Sequence, residues 1–176
     1  MFSESTFRSM LLAVALTLAV AGTAAAQTYT PPPVEQISLS GPRFGMTFLG
    51  QGIIDKLDEH EITVGPMISQ FGWQFEKRVY TGSSGLTALN EWVVLVGGLD
   101  QGVVLPSVSW MVGLRTKEGA ELGLGPNITP LGVGLAFAAG TTFRAGALNI
   151  PVNIAVVPSK SGIRVSFLTG FNTRRR

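Results

Sequence analysis

The feature that most constrains this chain is an apolar alternation of period two that runs through its second half. Val104, Pro106, Val108, Trp110, Val112 and Leu114 alternate with Leu105, Ser107, Ser109, Met111, Gly113 and Arg115. Ala120, Leu122, Leu124, Pro126 and Ile128 alternate with Glu121, Gly123, Gly125 and Asn127. From Leu131 the apolar series continues through Val133, Leu135, Phe137, Ala139, Thr141 and Phe143, against Gly132, Gly134, Ala136, Ala138, Gly140, Thr142 and Arg144. The stretches Leu148 to Val156 and Ile163 to Phe171 repeat it, with Asn149, Asn153, Arg164, Ser166 and Asn172 on the small or polar faces. Successive side chains point to opposite sides only in a β-strand, because a helix repeats every 3.6 residues. The chain is therefore all-β.

The first half is compatible. Phe44, Met46 and Phe48 alternate with Arg43, Gly45 and Thr47; Phe71, Trp73 and Phe75 alternate with Gln70, Gly72, Gln74 and Glu76. Trp92, Val94 and Val96 form a further series, although Val93 and Leu95 blur its second face. The pattern predicts eight strands, at 42–50, 68–80, 88–99, 103–115, 119–127, 131–144, 147–157 and 162–172. Ile62 to Met67 either extends the second strand or is broken from it by Gly65-Pro66. Short Gly-containing links between most strands imply hairpins and antiparallel neighbours. The exception is Gln51 to Glu61, where Ile53, Ile54 and Leu57 fall at roughly helical spacing and predict a short helix or ordered loop. Pro106 and Pro151 lack an N–H that a ladder needs, so a bulge or strand end is expected at each.

Which face is buried decides the architecture. A wet strand face favours Thr, Lys and Glu, and Gly weakens a strand. Here the second face is mostly Gly, Ala and Ser with isolated Arg, Glu and Asn, as a narrow lumen requires. Charged residues are only 14% of the chain, 45% are hydrophobic, and no second apolar run could span a bilayer as a helix. The expected fold is an antiparallel up-and-down transmembrane β-barrel. A soluble periplasmic barrel or sandwich binding an apolar ligand is the alternative. At the N-terminus, Arg8, the apolar run Leu11 to Ala21 and Ala24-Ala25-Ala26 form a secretory signal pattern ending at residue 26. Residues 27–40, with Pro31-Pro32-Pro33, read as an extended leader, and 41–176 as the barrel domain. There is no Cys, so no disulfide or thiolate site.

In size and pattern the stretch Gly41 to Asn172 resembles small eight-stranded outer-membrane barrels, of the class of the OmpA transmembrane domain and OmpX. Gly162-Ile163-Arg164-Val165-Ser166-Phe167 is similar to the G-x-x-Φ-x-Φ signal by which the barrel-assembly machinery recognises its clients, although this chain continues past it to Arg176. The resemblance implies insertion by that machinery into the outer membrane of a Gram-negative-type bacterium, with lipid as the immediate partner. Its implied role is structural or interactive, without catalysis or a cofactor. Some such barrels modify lipid A through a loop histidine, which leaves a lipid-modifying enzyme as a further alternative.

The candidate polar residues are few. His60 lies in the charged loop Asp55-Lys56-Leu57-Asp58-Glu59-His60-Glu61. No Ser motif supplies it with a nucleophile, and the acids lack the spacing of a calcium loop, so the segment reads as a solvated loop. Arg43, Glu76, Arg78, Glu91, Arg115, Glu121, Arg144 and Arg164 have inward parity and are expected to form a lumen ion-pair network, since buried charges must be paired. The net charge of +2 comes largely from Arg174 to Arg176 and makes no case for nucleic acid.

Overall fold

The computed structural model describes residues 38–173. The signal pattern, most of the leader and the arginine tail lie outside them. The strands are β1 (Gly41–Leu49), β2 (Met67–Thr81), β3 (Thr87–Gly97), β4 (Leu105–Arg115), β5 (Ala120–Thr129), β6 (Gly132–Ala145), β7 (Leu148–Ser159) and β8 (Gly162–Gly170), with a two-residue β9 (Asn172–Thr173). Each is antiparallel to its neighbours in sequence; β1 also pairs with β8, and the ring closes. The result is a closed eight-stranded barrel in which β9 prolongs β8 along β7 after a break at Phe171. All eight expected strands are present, with ends shifted by no more than two residues. The two-residue shift at the end of β3 occurs because Gly98 turns the chain with φ 81°.

The two prolines show how the ladders tolerate a missing donor. Pro106 is the second residue of β4, and pairing with β5 begins only at Val108. Pro151 pairs with Thr142 on one side, and on the other it faces the interruption between β8 and β9. Both therefore sit at ladder ends. Met67 starts β2, so Gly65-Pro66 does break the strand from Ile62.

The barrel has two unlike rims. At the N-terminal rim, where β1 begins, Leu39 is buried and Ser40 Oγ accepts a hydrogen bond from the Glu76 amide (2.8 Å). At the other rim, α1 (Gln51–Asp58) follows β1 directly. Its i, i+4 pair Ile53 and Leu57 is buried against Leu49, Val64 and Ile68, so the helix closes this end with an apolar cap. Beside it, the turn between β3 and β4 is strapped to β2. Asp100 accepts from the Ser69 amide (3.0 Å) and hydroxyl, and Gln101 Nε2 donates to the Met67 carbonyl (2.6 Å).

These bonds to its ionised form hold the exposed Asp100 carboxyl below the usual value. A depressed carboxyl stabilises above its unfolded pKa and loses that contribution as pH falls through the folded one. Protection of the Ser69 amide from hydrogen exchange, taken relative to the intrinsic rate at each pH, should therefore be high at neutral pH and fall in the acid range below the ordinary carboxylate pKa of about 4. Asp100→Asn should flatten that dependence, and an unchanged profile would refute the staple.

The outer face is apolar and the inner face carries the charge. Of the charged residues within the eight strands, Arg43, Glu76, Arg78, Glu91, Arg115, Glu121, Arg144 and Arg164 hold inward positions, and only Lys77 points out. Phe44, Phe71, Trp73, Phe137, Phe143 and Phe167 are exposed on the exterior. Phe75, Trp92 and Trp110 form one cross-strand row, with the two indoles stacked at 6.2 Å and Trp110 Nε1 donating to Asn90 (2.8 Å).

Candidate functional site

The lumen is divided into layers by its side chains. Nearest the N-terminal rim is a charged cluster centred on Arg115. Register sets Glu76 directly opposite Glu91, a like-charge pair that is unfavourable alone. Arg115 lies opposite Glu121 and reaches along the lumen to resolve the conflict. Its Nε donates to Glu121 Oε2 (2.7 Å), its Nη1 to Glu76 Oε1 (2.9 Å), and its Nη2 to Glu76 Oε2. Glu91 Oε1 is 3.7 Å from Nη2 and accepts from Gln74 Nε2 (2.8 Å).

A second guanidinium joins this cluster to the rim. Arg43, 1% exposed, donates from Nε to Gln74 Oε1 (3.0 Å) and from Nη2 to the Leu39 carbonyl (2.6 Å). The residues just before β1 are thus part of the plug. Carboxylate oxygens of Glu76, Glu91 and Glu121 lie within 4.8 Å of one another, close enough to hold a metal ion. Arg115 already supplies the cation at their centre, so this donor set is an ion-pair hub.

Beyond the cluster the lumen turns apolar. Val93 and Leu95 of β3 point inward and are buried, as are Met111, Ala136 and Val157. A cavity of about 70 Å³ lies among these layers, lined also by Gln70, Gln74 and Asn153. It has room for a few waters, well short of the 300–1,000 Å³ usual for a ligand pocket. Toward the helix rim a network of amide and hydroxyl groups takes over, joined by Arg164. Asn127 Nδ2 donates to Ser107 and Ser109 (2.8 and 2.9 Å), and Arg164 Nη2 donates to Asn127 Oδ1 (2.8 Å).

The eight charged candidates therefore do not form one network. Arg43, Glu76, Glu91, Arg115 and Glu121 come together. Arg164 is at the opposite end, bonded to a neutral amide. Arg78 is half-buried near the N-terminal rim and Arg144 is exposed there; neither side chain makes a hydrogen bond among the described residues. The reason is positional, because both residues stand near the ends of β2 and β6, on the rim side of the Arg115 hub. Gln74, Leu39 and Asn127 belong to the networks without having been singled out by charge. His60 is exposed just after α1, its amide donating to the Leu57 carbonyl (2.9 Å).

Comparison with protein-family models, with curated proteins and with solved structures gives no match.

Proposed function

We propose that this chain is an outer-membrane barrel whose lipid-facing wall and plugged interior give it a structural or interaction role. The observation that carries the reading is the inversion of polarity: nearly all strand charge faces a narrow lumen, while large apolar side chains cover the outside. Soluble monomers rarely expose contiguous apolar patches beyond a few hundred Å². Bilayer hydrocarbon is the solvent in which such an exterior costs nothing, and a closed ladder leaves no backbone group unpaired within it. Strands of nine residues or more meet the spanning length. The apolar run and Ala24-Ala25-Ala26 near the N-terminus support export.

The interior argues against a transport role. One end is filled by Leu39, Arg43 and the Arg115 hub, and the other by the α1 cap. The alternative of a soluble barrel holding an apolar ligand is disfavoured by the ion pairs and by the small cavity.

Fractionation of native cells tests the proposal. The folded protein should sediment with the outer membrane and migrate differently on a gel before and after boiling. Recovery of folded protein in the soluble periplasm would overturn it.

A further inference from the structure

The barrel also carries a second recess, at the helix-rim mouth of its lumen. It lies between α1, the turn joining β5 to β6, and the link from β7 to β8, and encloses about 320 Å³. That falls within the range of small-molecule pockets and exceeds what a bare inorganic ion requires. Its lining holds three cations, Lys56, Lys160 and Arg164, and no carboxylate.

The three cations are held but not neutralised. Lys56 Nζ donates to the Leu131 carbonyl (3.1 Å), which leaves two of its three donors for another partner. Arg164 is fixed through one bond to the neutral Asn127, and a guanidinium has five donors. Lys160 is exposed at the edge. None of the three pairs with a carboxylate among the described residues, in contrast to Arg115, which meets three. Gly134 keeps the floor open, since a Cβ there would stand 2.8 Å from Val157 Cγ1 and 3.9 Å from Arg164 Nη2. The acids of α1 and its C-terminal cap are elsewhere: Asp55, Asp58 and Glu59 do not line the recess.

The opposite wall is apolar. Leu131 and Val133 border the recess, and Val133 is 72% exposed on the barrel exterior. A complementary molecule has a compact anionic head able to take several N–H donors and an apolar portion that continues down the outer wall. Phosphate oxygens suit clustered Lys and Arg donors.

We infer that this recess recognises a phosphorylated headgroup, with a lipid in the leaflet around the helix rim as its source. Recognition of the phosphate stands on the recess alone; the lipid source rests on the membrane reading above.

The test uses folded protein in a neutral detergent with three probes: phosphatidic acid, phosphatidylcholine and inorganic phosphate. Native mass spectrometry should show one phosphatidic acid per chain, bound saturably and displaced by inorganic phosphate, with phosphatidylcholine at least tenfold weaker. Lys56→Ala combined with Lys160→Ala should weaken phosphatidic acid binding at least tenfold. Lys77→Ala combined with Lys117→Ala, away from the recess, should leave it unchanged. Circular dichroism confirms that each variant keeps its β content. Binding of inorganic phosphate without phosphatidic acid would overturn the lipid source and keep the oxyanion site. Equal binding of the two lipids, or no loss in the Lys56 and Lys160 variant, would overturn the proposal, whatever fractionation shows.

Discussion

Replacing Arg115 with Met should destabilise the barrel by about 3–5 kcal/mol, the cost of removing one partner from a buried ionic cluster. The side chain is the shared cation of Glu76, Glu91 and Glu121, and Met leaves three carboxylates with only Arg43 nearby. Urea unfolding in detergent or lipid should show a much lower midpoint, and adding Glu76→Gln and Glu121→Gln should recover part of the loss. Arg144→Met is the control. That side chain has the same inward parity but is exposed, so its replacement should change stability by no more than about 0.5 kcal/mol. Equal effects at the two positions would refute the hub.

The second large effect is expected at Gly125, on β5. A Cβ there would lie 1.9 Å from the Trp110 carbonyl oxygen and 2.9 Å from the Met111 Cα, both backbone atoms of β4. Neither can move without separating the strands. Gly123, two residues earlier on the same inward face, offers a built-in comparison, since its nearest neighbour is the flexible Met111 Cε at 3.5 Å. Gly125→Ala should cost at least the 1–3 kcal/mol typical of overpacking. Gly123→Ala should be close to neutral. Refolding yield and urea midpoint measured side by side would decide, and equal outcomes would contradict the close approach.

The glycine result also shows how far the sequence could be read. Alternation marks Gly72, Gly123 and Gly125 as facing a crowded interior, but the crowding differs in kind. At Gly72, a Cβ would meet the Val94 carbonyl at 2.0 Å, because a narrow barrel curves one strand across the inner side of the next. That depends on strand stagger, which period two does not encode.

The same limit explains the charged candidates. Parity assigned all eight to the lumen side, yet it says nothing of height along the axis, and height separates the Arg115 hub from Arg164 and from the rim residues Arg78 and Arg144. The blurred face of β3 had a physical cause as well. Val93 and Leu95 face inward and line the apolar part of the lumen with Met111, so both sides of that strand meet hydrophobic surroundings. The helix after β1 was legible from Ile53, Ile54 and Leu57. Its role as a cap was not, because Val64 and Ile68, the residues it packs against, come later in the chain.

Which face of the wall meets lipid is the central claim, and adjacent residues of β6 test it directly. Leu135 points outward and is exposed, whereas Ala136 points inward and is 2% exposed against Met111 and Val157. The chain has no native Cys, so single-site labelling is clean. A fluorophore carried by Leu135→Cys in lipid vesicles should be quenched by bromine atoms on the acyl chains and shielded from aqueous iodide. Ala136→Cys should resist labelling until the protein is unfolded. Quenching of the Leu135→Cys label by iodide, with no effect of brominated lipid, would contradict the lipid-facing wall.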